Sequence, residues 1–167
     1  RVQISKFIEE HRLNRDEFIA LVQKCPEELI LTENLVYNKS SIVDILKERL
    51  LGTNLVDTEL FFQETEITPK AVELLLRATG LRYYSDTDGI FKCIEYDGNK
   101  IINHALENGF VFVNQAIENS SVPLRELKSF LSTRRDNVVF SSSLDLLVSS
   151  KWLSVLRDAV FEQGEVE

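Results

Sequence analysis

The chain has 167 residues, room for one domain or two to three small ones, and its 44% hydrophobic and 28% charged content is that of an ordinary globular protein. Its formal charge of −8, from 27 acidic and 19 basic residues, argues against a protein that coats nucleic acid with its whole surface. No apolar run approaches the roughly 20 residues of a membrane span, and no stretch reads as a signal peptide.

In chain order, Ile4, Phe7 and Ile8 share one helical face in the pattern that Val2 opens and Leu13 closes. Asn14 lies three residues before Glu17, a capping-box spacing that predicts a second helix with Phe18, Leu21 and Val22 inward and Pro26 ending it. A hairpin is expected over 28–37, turning at Thr32–Asn34, with Ser40 and Ser41 starting a helix that ends at Leu51–Gly52. Next come an extended run at Leu55–Val56, a helix around Thr58–Glu64, and a second that Thr68 should cap with Pro69 in its first turn. Val72, Leu74, Leu75 and Leu76 are expected to carry that helix into the core, and Gly80 to stop it. Strands are predicted at 81–84 and 90–96 around a turn-rich loop, with Asp97-Gly98-Asn99 turning the chain into a helix over 100–108.

Phe110–Val113 reads as a strand, 115–119 as a short helix or loop, and Pro123 opens a helix with Leu124, Leu127, Phe130 and Leu131 on one face. The stretch 137–164 closes the chain. Its apolar runs Val138-Val139-Phe140 and Leu144-to-Val148 predict a hairpin, and Ser149 or Ser150 can cap the amphipathic helix that follows.

Three such hairpin–helix phrases end at Gly52, Gly109 and Gly164, 57 and then 55 residues apart, an internal period that signals repetition. The order helix, short strand, two helices, hairpin is the winged-helix plan. It is complete in the second copy, nearly so in the third, and without its leading helix in the first. The expected fold is α+β, mainly helical, with tandem winged-helix-like units over 1–52, 42–109 and 100–167 that overlap through shared helices. No Pro/Gly/Ser-rich linker parts them, so a stiff string is expected. The start at Arg1, inside a structured pattern and without any methionine, suggests part of something longer.

Little in the residues suggests chemistry, and no catalytic, metal or cofactor residue is assigned. His11 and His104 keep no company with a Cys, Ser or carboxylate pattern. Asp86-x-Asp88-Gly89 opens like a calcium loop, but Ile90 and Phe91 occupy a ligand and the turn-glycine position. Cys93 reads as a mid-strand core thiol with no helix start to activate it, and Cys25 as buried or idle in a reducing compartment. Tyr83, Tyr84 and Trp152 read as core or inter-unit packing. The helices before the first two hairpins carry mixed charge. Only the third offers a basic set, Arg125, Lys128, Arg134 and Arg135, which defines the alternative reading of a nucleic-acid-binding tandem winged helix.

The segments VVFSSSLDLLVSSKW at 138–152, LILTENLVYNKSSIVDILKE at 29–48 and ITPKAVELLL at 67–76 resemble, in that order of elements, the winged-helix repeats of the E3 ligase for the ubiquitin-fold modifier, the ufmylation ligase. The resemblance implies a scaffold without a catalytic cysteine, which aligns a charged conjugating enzyme with its target. It also implies a partner adaptor at the endoplasmic reticulum membrane and action on ribosomes, and the setting expected is cytoplasmic, at the endoplasmic reticulum surface or in the nucleus. No family residue role maps onto a position of this chain. The function expected is protein–protein interaction, through helix faces and wings.

Overall fold

The computed structural model describes residues 1–120, 122–134, 137–141, 143 and 145–164. Leu144 of the expected final hairpin and Arg135 of the basic set lie outside them. The fold is α+β and mainly helical, as the hydrophobic periodicity predicts.

The same order of elements occurs three times. The first set is β1 (Val2–Gln3), α1 (Ile4–His11), α2 (Arg15–Val22), β2 (Leu29–Leu31), β3 (Leu35–Asn38) and α3 (Lys39–Thr53). The second is β4 (Val56–Asp57), α4 (Thr58–Thr65), α5 (Pro69–Ala78), β5 (Tyr83–Thr87), β6 (Ile90–Cys93) and α6 (Ile94–Asn108). The third is β7 (Phe110–Phe112), α7 (Val113–Ala116) running into a 3-10 turn at Ile117–Asn119, α8 (Leu124–Ser132), β8 (Val138–Phe140), β9 (Leu146–Ser149) and α9 (Ser150–Gly164).

Each set makes a three-stranded sheet whose last strand lies in the middle: β1-β3-β2, β4-β6-β5 and β7-β9-β8. Register repeats as well. Val2 pairs with Val36, Val56 with Phe91 and Val111 with Leu147. The amides of Ile4, Thr58 and Val113 donate to the carbonyls of Asn34, Gly89 and Asp145, at 2.9, 2.8 and 2.8 Å. Those of Lys39, Ile94 and Ser150 donate to Glu28, Arg82 and Asn137. Residues can therefore be equated across copies. The repeat is in step at Val2, Val56 and Val111, and again at Lys39, Ile94 and Ser150, where α3, α6 and α9 begin. The three glycines are not equivalent. Gly52 lies inside α3, Gly109 caps α6 at φ 89°, and Gly164 ends α9. The counterpart of Gly109 is Asn54, at φ 58°, the residue type that best tolerates a left-handed cap after glycine.

Several local expectations need correction. Asn38, not Ser40 or Ser41, caps α3, its Oδ1 accepting the Ser41 amide at 3.2 Å. Thr68 stands at the N-cap of α5 without a capping bond from its hydroxyl, so Pro69 alone marks that start. Asn14 caps α2 as expected, accepting from the amides of Asp16 and Glu17, and Ser149 caps α9 by accepting from Trp152. The largest departure is α6, which begins at Ile94 and runs straight through Asp97-Gly98-Asn99. Gly98 is there for packing: a Cβ on it would lie 2.3 Å from Cδ1 and Cε1 of Phe130 on α8. Leu74 is exposed, while Val72, Leu75 and Leu76 are buried as expected.

By its contacts the described chain divides into two compact units, 1–81 with 85–91, and 82–84 with 92–167. In the first, α3 packs on α5, with Leu46, Leu50, Phe61, Val72 and Leu76 all buried. In the second, α6 packs on α8 and the third sheet, and Ile101, Ala105, Val111, Leu127, Phe130, Leu131 and Leu147 form one cluster. No helix among the described residues is long and apolar enough to cross a membrane.

Candidate interaction surface

Within the first unit, α4 closes one side of a cleft on the first repeat, at Arg49, and leaves Arg1, Ser41 and Ile45 exposed. Arg1, Tyr37, Ser41, Ile45 and Arg49 line a cleft of about 370 Å³ together with Phe61, Glu64 and Thr65 of α4. The Arg49 guanidinium pairs with Glu64 and lies 5.0 Å from the centre of the Phe61 ring, a cation–π contact. One residue past α4, Glu66 adopts φ 61° and reaches the turn of the first hairpin. Its carboxylate accepts from the Asn34 amide at 3.0 Å, Asn34 Nδ2 at 3.1 Å and Thr32 Oγ1 at 2.9 Å. Those bonds, from Asn34 first, hold the Glu66 carboxyl below its usual range.

The equivalent positions in the third repeat are Phe110, Val148, Trp152, Leu156 and Val160, and all five are apolar. Strand pairing puts Phe110 opposite Val148 and Val148 opposite Val139, with Phe112 opposite Leu146, so these side chains share the sheet face away from Val111 and Leu147. The Phe110 and Phe112 rings meet edge to face with centroids 5.9 Å apart, and Trp152 stands 5.7 Å from Phe110. Trp152 fits there because Gly109 has no side chain; a Cβ would fall 2.4 Å from its Cδ1. The stripe continues along α9 through Val155, Leu156, Val160 and Phe161, all exposed. Phe161 is 69% exposed, whereas Leu50 and Ala105 at the same helical position are fully buried. A connected exposed apolar surface of this kind marks an interaction site, and aromatic anchors are its usual energetic centre.

Sequence reasoning assigns Trp152 to packing and misses this surface. A signal is nevertheless present: Trp152, Leu153, Val155, Leu156, Val160 and Phe161 are more apolar residues than one buried helix face can hold.

The basic set is only partly assembled. Arg125 is exposed on α8 and shares a shallow cleft with Leu124, Lys128, Ser129 and Ser132. Lys128 is committed to Asp145, with Nζ 2.7 Å from Oδ1, and that hydrogen bond holds the Asp145 carboxyl below its ordinary range. Arg134 lies over the Phe130 ring at 4.8 Å, and Arg135 falls outside the described residues.

The reactive-group candidates separate as follows. Cys93 sits at the N-cap of α6, not mid-strand, so a helix start is present after all. Burial outweighs it and pushes the thiol up to about 11. Cys25 is exposed rather than buried, and neither cysteine is in a disulfide. His11 packs its ring 4.3 Å from that of Phe7, and His104 lines a cleft with Lys100, Gln115 and Ala116. Among the described residues no three His, Cys, Asp or Glu side chains gather as a metal site. Tyr84 packs against the core of the second unit. No protein-family model matches the chain, and no curated protein matches it.

Proposed function

We propose that the chain is a protein–protein interaction scaffold built of three winged-helix-like units, serving within a scaffold-type ligase for a ubiquitin-like modifier. The observation that carries the interaction reading is the exposed aromatic surface of Phe110, Phe112 and Trp152, continued by the apolar stripe of α9. The threefold strand–helix–helix–hairpin–helix order supports the winged-helix reading, and through it the modifier-ligase reading. A scaffold of this kind aligns partners and needs no nucleophile of its own, which accords with a Cys93 thiol silenced by burial. Nucleic-acid binding is the weaker reading, because Lys128 is neutralised by Asp145 in a chain of net charge −8.

The test is co-precipitation of the chain and of its Phe112→Glu variant from its own cells, beside an anisotropy titration with duplex DNA at about 0.1 M salt. The expected result is a conjugating enzyme and adaptor held by the unaltered chain and lost with Phe112→Glu. Tight DNA binding that Arg125→Ala, Arg134→Ala and Arg135→Ala abolish would replace the scaffold reading with the nucleic-acid one.

A further inference from the structure

Of the three prolines in the chain, only Pro69 follows a hydroxyl-bearing residue: Pro26 follows Cys25, Pro123 follows Val122, and Pro69 follows Thr68. The structure leaves that threonine open to chemistry. It lies with Glu66 and Ile67 in the short link between α4 and α5, outside any helix or strand. It is exposed, and its backbone is extended at φ −59° and ψ 148°, the conformation a following proline enforces. It stands at the N-cap of α5, yet its hydroxyl makes no capping bond. The side chains of Asn14, Asn38, Asp57 and Ser149, at the starts of α2, α3, α4 and α9, are all engaged in such bonds. Thr68 also shares a cleft of about 450 Å³ with Thr32, Glu33 and Glu66. In that cleft the Glu66 carboxylate holds the first hairpin through Asn34 and Thr32.

We propose that Thr68 is a phosphorylation site for a proline-directed protein kinase, and that its phosphate releases Glu66 from the first hairpin. In the step, Thr68 Oγ1 attacks the γ-phosphorus of ATP, the bond from that phosphorus to the β–γ bridging oxygen breaks, and ADP leaves. The hydroxyl proton passes to the base of the kinase. Proline at the next position suits such an enzyme, because it holds the acceptor extended and has no amide to leave unpaired. The product carries about −1.5 to −2 charges at pH 7. The backbones of residues 66 and 68 stand at most about 7 Å apart, inside a Debye length of about 8 Å at physiological salt. Phosphate and carboxylate therefore repel with little screening. The described residues that line the cleft include two carboxylates, Glu33 and Glu66, and no cation to take up the new charge. The phosphate is favoured at the start of α5, where no side chain caps the first-turn amides, and Glu66 is the group displaced. The inference goes beyond the interaction reading and stands if that reading fails, since no partner enters the experiment.

The experiment incubates the folded chain with ATP, magnesium and, in separate reactions, a mitogen-activated and a cyclin-dependent protein kinase. Mass spectrometry maps the phosphate, and NMR follows the Asn34 amide proton, which its bond to the Glu66 carboxylate holds downfield. The expected result is phosphate on Thr68, absent from Thr68→Ala, with the Asn34 resonance moved upfield towards its position in Glu66→Ala. In Glu66→Ala itself the same phosphate should leave that resonance in place. Because Ile67 is buried and anchors the link, labelling of the folded chain is the decisive observation. Phosphate from neither kinase, phosphate only at other residues, or phosphate on Thr68 only after the chain is unfolded overturns the site. A phosphorylated Thr68 that leaves the Asn34 resonance unmoved, or moves it equally in Glu66→Ala, overturns the release of Glu66.

Discussion

The Glu66 carboxylate holds Asn34 by two bonds, one to its backbone amide at 3.0 Å and one to its side-chain Nδ2 at 3.1 Å. This ties the turn after α4 to the first hairpin across 32 residues of sequence. Because the folded state lowers the carboxyl pKa from its ordinary value of 4.5, the bond favours folding whenever Glu66 is charged. The contribution is present above the unfolded pKa and disappears as pH falls through the lower, folded one. Glu66→Gln keeps one acceptor and loses the charge, so it should melt at a lower temperature than the parent at pH 7. The gap should narrow below about pH 4, where unfolded glutamate is itself protonated. A gap that stays constant from pH 7 to pH 3 would show that the charge contributes nothing.

Two helical glycines should respond to alanine in opposite directions. Gly98→Ala pushes a methyl against Phe130, which is almost fully buried, and should cost about 1–3 kcal/mol. A methyl on Gly52, inside α3, would meet no neighbouring group within 4 Å, so Gly52→Ala should stabilise by about 0.5–1 kcal/mol through backbone entropy. Urea unfolding measures both. Adding Phe130→Leu to Gly98→Ala should recover part of the loss, a non-additivity expected only of residues in contact.

That pair also shows how far the sequence could be read. Local patterns were legible: the hairpin turn at Thr32–Asn34, the Asn14 cap, the Pro69 start, and the burial of Val72, Leu75 and Leu76 on α5 and of Leu127, Phe130 and Leu131 on α8, though not of Leu74 or Leu124, follow from spacing and turn chemistry. What failed was any feature set by a distant partner. Asp97-Gly98-Asn99 has turn composition, but the contact with Phe130 some 30 residues on makes Gly98 a close-approach glycine within a helix. Likewise the closing glycines gave an approximate period, whereas strand register gave the true one. The apolar surface on α9 left only an excess of apolar residues as its signal, since a core stripe and an uncovered stripe have the same periodicity.

The two thiols should differ sharply in reactivity. Cys25 is exposed, whereas Cys93 is buried with its pKa raised to about 11, by burial first. The nucleophile is the thiolate, so at pH 8 an aromatic disulfide reagent should consume one thiol per chain rapidly, and Cys25→Ser should remove that phase. The second thiol should react only on unfolding. Two fast thiols in the native parent would contradict the burial of Cys93.

Helix α3 serves two repeats at once within the first unit, contacting β3 of its own hairpin and both β4 and α5 of the next repeat. Glu48 lies on its exposed side, so Glu48→Pro tests the helix without cutting into the core. Proline there removes the amide bond to residue 44 and crowds that carbonyl, at a cost of about 3 kcal/mol or more. Since Leu46 and Leu50 are fully buried on the same helix, the loss cannot stay local. In hydrogen exchange the amides of Tyr37 in β3 and of Leu76 in α5 should lose protection together, each by roughly 100-fold, the factor that about 3 kcal/mol represents. Asp158→Pro in α9 is the contrasting variant, because the described side chains around it are exposed and no core rests on them. There the amide of Leu147 should keep most of its protection while α9 frays. If Glu48→Pro instead released Tyr37 and left Leu76 protected, α3 would belong to the first repeat alone.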